Sequence, residues 1–157
     1  MIRVANYNDL FAINEIYNQA IDTKSSTADL VHISITERIK WFDEHSDSKY
    51  PVFVYQIDDK VVGWMSVSPY RKGRKALDSV VEVSYYLDKN YQRRGIGSNF
   101  IEYILNKSSK YSFKFIICII LEINTGSIKL LEKFGFERWA YLPQIGKFVV
   151  RYIMELM

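Results

Sequence analysis

Scarcity narrows this chain before any motif does. It has one cysteine, Cys118, so an internal disulfide is excluded. Cys118 also lies in the apolar run Phe115 to Leu121, where a buried small hydrophobe is the expected reading rather than a reactive thiol. The two histidines, His32 and His45, add too little to that cysteine for a metal-ligand cluster. No apolar run reaches the roughly 18 residues that cross a bilayer. The start, Ile2-Arg3-Val4, has no secretory pattern, so a cytoplasmic protein with no membrane partner is expected. A strong charge excess is missing as well. The formal net charge is +3 with 25% charged residues, and basic side chains cluster only at Arg71 to Lys75 and at Arg93-Arg94. That balance argues against a nucleic-acid partner and for local anion sites. Finally, no Gly-x-x-x-x-Gly-Lys-Ser/Thr is present, and after Gly95 and Gly97 the third glycine of a dinucleotide fingerprint is replaced by Phe100, which excludes P-loop and Rossmann chemistry.

What is present is a chain able to build a core. It has 157 residues, 48% hydrophobic and 15% aromatic. One domain of that size buries about 70% of its unfolded surface. Asn8-Asp9 can cap a first helix carrying Leu10, Ile13, Ile16, Tyr17, Ala20 and Ile21 along one face. Ser34 and Glu37 have capping-box spacing before a second helix whose buried stripe would be Ile35, Ile39 and Phe42. Val52 to Ile57 and Val61 to Val67 read as a hairpin turned by Asp58-Asp59-Lys60. Val80 to Leu87 has strand composition, and Gly97 to Lys110 has helical spacing at Ile101, Ile104 and Leu105. Phe113 to Leu121 is apolar without alternation, which predicts a central strand covered on both faces. A helix from Asn124 should end at Gly135, and a last hairpin, Glu137 to Leu142 and Phe148 to Leu156, turns around Pro143 and Gly146. The order is strand, two helices, three strands, helix, strand, helix, two strands. This is a mixed α/β (α+β) domain spanning 1–157, of about seven strands and four helices, with a right-handed crossover.

The segment Tyr91-Gln92-Arg93-Arg94-Gly95-Ile96-Gly97 joins a strand to a helix through a basic, glycine-bearing turn. Such a turn aims backbone N–H groups and the positive end of a helix dipole at an anion. It is a candidate diphosphate cradle; a solvated surface loop is the alternative.

Taken together, Ile2-Arg3-Val4-Ala5, Asp9-Leu10, Ile16-Tyr17-Asn18, Trp41-Phe42, Tyr50-Pro51-Val52, Val61-Val62-Gly63, Val81-Glu82 with Tyr86, Gln92 to Gly97, Asn124 with Ser127, and Phe134-Gly135-Phe136 resemble the GNAT superfamily of N-acetyltransferases. Within it, the chain is most similar to the branch that acetylates phosphinothricin and methionine sulfoximine. The resemblance implies that the fourth and fifth strands splay to admit acetyl-coenzyme A as cosubstrate. It implies that Gln92, Arg93, Arg94, Gly95, Ile96, Gly97 and Ser98 hold the diphosphate, that the backbone of Tyr85, Tyr86 and Leu87 pairs with the pantetheine arm, and that Asn124, assisted by Ser127, contacts the cofactor. A plain helix cap is the other reading of Asn124.

Acyl transfer to an amine needs a proton acceptor, because an α-amine is mostly protonated at neutral pH. Glu82 is the candidate base; alternation places it with Ser84 and Tyr86 on one strand face. A structural ion pair with Arg71 or Arg74 is its alternative role. The resemblance places Tyr70 and Arg71 at the position that holds a substrate carboxylate, with Arg74 as a possible substitute from a loop one residue longer, since Asp78 stands where a second arginine is expected. It also implies an acid on the helix after the fifth strand, but Leu130 and Leu131 stand there, and no general acid is named. The last strand, Phe148 to Tyr152, lacks the branch's tryptophan-aspartate pair. The expected reaction is acetyl transfer to a small amino-acid-like amine by a possible homodimer. A non-catalytic acyl-coenzyme A binder and an acetyltransferase of protein N-termini or lysines are the rivals.

Overall fold

The computed structural model describes residues 1–142 and 149–156. Pro143, Gly146 and Phe148, read above into the last hairpin, lie outside the described residues. Seven strands form one sheet: β1 (Ile2–Val4), β2 (Val52–Ile57), β3 (Lys60–Pro69), β4 (Val80–Leu87), β5 (Phe115–Leu121), β6 (Glu137–Leu142) and β7 (Val149–Glu155). Their spatial order is β1-β2-β3-β4-β5-β7-β6. Four helices cover it: α1 (Leu10–Asp22), α2 (Ile35–Asp43), α3 (Ile96–Lys107) and α4 (Thr125–Lys133). The only parallel pairing among the described strands is β4 with β5, joined through α3.

Local chemistry explains most boundaries. Asp58 and Asp59 both take left-handed backbone angles, φ 45° and 61°, which the two-residue turn between β2 and β3 requires. Gly135, at φ 84°, ends α4 as the αL residue, and Phe136 N–H returns to the Leu131 carbonyl at 3.1 Å. Ser34 and Glu37 close the expected capping box at α2.

Three expectations change. The first helix is entered through a short 3-10 turn, Tyr7–Asp9, capped by Asn6 rather than by Asn8-Asp9. Asp9 closes that cap by accepting from Asn6 N–H at 2.8 Å, and both of its oxygens accept from the Arg3 guanidinium at 2.7 Å. On α2 the buried residue is Arg38, 4% exposed, whereas Ile39 is 39% exposed. The guanidinium lies over the rings of Tyr17 and Trp41, each at 4.6 Å, and of Trp64 at 5.4 Å. Stacking on three aromatic faces rotates the helix away from its aliphatic stripe. On β5, Ile116 and Cys118 are fully buried as predicted, but Ile119 is 38% exposed, so only the first half of the strand is doubly covered.

The sheet separates two cores. Val81, Val83, Phe53, Met65 and Val67 pack against Phe100, Ile101 and Ile104 of α3 and Leu131 of α4. On the opposite face, Trp64, Val52 and Val54 pack against Leu10, Ile13 and Ile16 of α1.

Candidate active site

β4 and β5 are hydrogen-bonded neighbours at three positions, Val80 with Phe115, Val81 with Ile116 and Glu82 with Ile117, and then they part. β4 runs on to Leu87 still paired with β3, and β5 runs on to Leu121 still paired with β7. The edges they turn toward each other beyond Glu82 are therefore left without a strand partner, and main-chain N–H and C=O groups there call for a ligand or water. A cleft of about 420 Å³ opens between them. This parting also accounts for Ile119: with Ile120, it forms the β5 wall of the cleft.

Every residue assigned above to cofactor binding, except one, lines this cleft: Tyr85, Tyr86 and Leu87 from β4, Gln92, Arg93, Gly95, Ile96, Gly97 and Ser98 from the turn, and Asn124 and Ser127 from α4. Arg94 is the exception; its guanidinium lies 4.8 Å from the centre of the Tyr91 ring. Gln19, Thr23 and Ser26, from the end of α1 and just beyond, complete the rim, and nothing in their spacing had marked them.

The turn gathers positive potential. The buried Asp88 carboxylate accepts from Asn90 N–H at 2.9 Å and fixes the 3-10 turn Lys89–Tyr91 that leads into it. Arg93 at φ 59° and Gly95 at φ 80° are both left-handed, which turns the chain sharply into α3. α2 and α4 are capped by side chains, α4 by Asn124 Oδ1 accepting from Ser127 N–H at 3.2 Å, but α3 has no side-chain cap. Its first N–H groups thus have no intrahelical partner at a positive dipole end. Among the described residues, neither Arg93 nor Arg94 is in an ion pair. Asn124 is therefore a helix cap that also faces the cleft.

Glu82 stands at the apex, half-buried, opposite Ser68 of β3. Ser68 Oγ is 3.2 Å from His45 Nε2, and His45 Nδ1 is 2.8 Å from the Trp41 carbonyl oxygen. A carbonyl only accepts, so Nδ1 carries the hydrogen and Nε2 accepts from the Ser68 hydroxyl. Burial, ahead of the other influences, holds the His45 pKa below its ordinary value, so the ring is neutral at neutral pH. Ser68 and His45 were not legible beforehand, because only strand register sets Ser68 opposite Glu82, and only packing brings His45 to Ser68. Cys118 keeps its structural role: burial first, then the charge of Glu82, push its thiol pKa up.

The structure does not bring the expected carboxylate-binding residues into the cleft. Tyr70 follows β3, its N–H donating to the Val80 carbonyl at 3.2 Å, and Arg71 and Arg74 are exposed on the loop beneath the apex. Asp78 pairs with Lys49 at 3.4 Å. The described residues contain no cluster of metal-ligating side chains and no helix long and apolar enough to cross a membrane.

Comparison with known proteins agrees with this geometry. Residues 2–157 match the model of the acetyltransferase (GNAT) domain. The chain is 31% identical over 147 residues to the phosphinothricin N-acetyltransferase of Streptomyces viridochromogenes, covering 92% of this chain and 78% of that protein. It is 27% identical over 145 residues to the L-methionine sulfoximine/L-methionine sulfone acetyltransferase of Salmonella typhimurium, covering 92% and 84%. The crystal structure of an N-acetyltransferase from Staphylococcus aureus Mu50 superposes with a TM-score of 0.94 at 28% identity, covering 100% of this chain and 98% of that one. With a strand pair opened beside an uncapped helix start, and a family match that runs nearly end to end, this chain belongs to the GNAT acetyltransferase family.

Proposed function

We propose that this protein transfers the acetyl group of acetyl-coenzyme A directly to the amino group of a small amino-acid-like substrate of the phosphinothricin or methionine sulfoximine type. The observation that carries the reading is the parting of β4 from β5 immediately after Glu82 and Ile117. The residues present fit the cosubstrate. The open edge of β4 from Val83 to Leu87 suits an extended, amide-bearing arm, and the uncapped start of α3 with Arg93 suits a diphosphate. Bound there, acetyl-coenzyme A supplies an activated acyl carbon.

The chain's own groups supply the rest. Glu82 takes the proton of the incoming amine through a water, leaving the nitrogen lone pair free to attack. Unpaired N–H groups of β4 beyond Glu82 receive the negative charge that develops on the acyl oxygen. A carboxylate on the substrate is held by Arg71 or Arg74 beside Tyr70, from the loop beneath the apex, where a guanidinium offers two parallel donors. Relatives named for amino acid analogues support a small acceptor over a protein one. Two chains are expected to associate as a homodimer, which light scattering would read as twice the 18.5 kDa chain mass.

The test is thiol release from acetyl-coenzyme A with a panel of amino acid analogues and short peptides. Turnover on the analogues is expected, and turnover confined to peptides would overturn the assignment of substrate class. Glu82→Gln is expected to lower kcat by on the order of 10²-fold with coenzyme A affinity unchanged. An unchanged kcat would remove Glu82 from the chemistry.

A further inference from the structure

Acetyl transfer ends with a sulfur that must take up a proton. The helix after β5 offers it no acid, since Leu131 is fully buried in the core and Leu130 lines the cleft. The side wall of the same cleft carries a polar group that no described residue satisfies. Tyr85 extends from β4 on the α3 and α4 face, and its hydroxyl is buried without a hydrogen-bond partner. Such an orphan destabilises the fold unless a ligand or water completes it.

The surroundings favour a donor role. Burial pushes the phenol pKa above its ordinary value, and Ser127 counters part of that rise. The hydroxyl is thus protonated and has a hydrogen bond to give. Gly97 makes room for Leu130 beside the Tyr85 ring: a Cβ there would stand 2.8 Å from Leu130 Cδ2, whereas its 3.8 Å to Tyr85 Cε2 is an ordinary contact. Tyr86, the other tyrosine on this stretch, turns to the opposite face and contacts Trp64 at 4.8 Å and Tyr17 at 4.9 Å, ring centre to ring centre.

We infer that the Tyr85 hydroxyl donates a hydrogen bond to the coenzyme A sulfur as it leaves, a role taken from β4 because the helix lacks it. The inference rests on the acetyl-transfer reading. In the step, the amine lone pair forms the C–N bond and the C–S bonding pair goes to sulfur. Tyr85 keeps its proton and holds the thiolate through it, Glu82 receives the amine's proton, and water protonates the sulfur on release. Glu82 then loses its proton to solvent, so both groups return to their starting states.

Tyr85→Phe keeps the ring and removes the donor. The first readout needs no acceptor amine: the thiol of bound coenzyme A is titrated by the ultraviolet absorbance of its thiolate. In the native protein, that thiol is expected to ionise roughly one pH unit lower than in Tyr85→Phe, because the phenol stabilises the thiolate. The second is turnover, with kcat expected to fall by on the order of 10²-fold while the Kd of coenzyme A stays within about twofold. Equal thiol titration in the two proteins, or a loss confined to coenzyme A affinity, would overturn the role of Tyr85 and leave acetyl transfer standing. Failure of the native protein to bind coenzyme A would overturn both. Equal thermal melting of the two proteins is the expected control.

Discussion

The two faces of β4 do different work with the same backbone. On one, Val81, Val83, Tyr85 and Leu87 meet α3 and α4 in an apolar core of aliphatic and aromatic side chains whose one polar interruption at the strand is the Tyr85 hydroxyl. On the other, Glu82, Ser84 and Tyr86 look toward Ser68, Ser66 and Trp64, with His45 and the caged Arg38 behind them. The first face is a rigid wall for a long cofactor. The second collects carboxylate, imidazole, hydroxyl and guanidinium around the place where an amine must lose a proton. The separation follows from the two-residue period of a strand, which lets one segment serve both tasks without placing charge in the apolar core.

That division makes exposed claims. The largest effect is expected from Phe100→Ala, which empties a fully buried site on the apolar face. Unfolding stability should fall by about 4 kcal/mol by denaturant titration, and a loss below about 1 kcal/mol would mean that this face is not the scaffold. Gly63→Ala sharpens the point, since its Cβ would lie 2.6 Å from Leu87 Cδ2, 3.2 Å from the Tyr86 carbonyl oxygen and 3.3 Å from Phe100. A cost of about 1–3 kcal/mol is expected from overpacking, with weaker coenzyme A binding as β4 shifts. If binding were untouched, the wall would be more yielding than argued.

Arg93→Ala should weaken coenzyme A binding about tenfold, or ~1.4 kcal/mol, leave kcat alone, and lose its effect at high salt. Arg94→Ala should do less, because that side chain rests on Tyr91 outside the cleft. An equal effect on kcat would blur the two faces. The smallest effect belongs to His45→Gln. The folded His45 pKa lies below its unfolded value, so the unfolded chain takes up the proton first as pH falls through about 6.5, and stability declines there. Glutamine should flatten that part of the stability profile, measured by melting across the acid range; an unchanged slope would place the titration elsewhere.

The glycine turn was legible because its chemistry is local: two arginines, two glycines and a helix start lie within a few residues. The hairpin at Asp58-Asp59 and the α2 capping box were readable for the same reason. Arg38 was misjudged because periodicity counts aliphatic side chains and does not weigh a guanidinium that can stack on Tyr17, Trp41 and Trp64. The Asn6 cap was missed because a 3-10 turn precedes α1 and moves the helix start upstream. The apolar run at β5 was read as uniformly covered, although pairing with β4 ends at Ile117.

By itself, the amino-acid order determined which segments become helix or strand, their sequence along the chain, and the basic, glycine-bearing turn at Gln92 to Gly97 that opens α3. These depend on interactions spanning a few residues. Only the tertiary structure decided where β4 leaves β5, that Ser68 stands opposite Glu82 with His45 against it, and that no described residue bonds the buried Tyr85 hydroxyl. Those facts depend on register, sheet twist and packing between residues far apart in the chain, which no local pattern encodes.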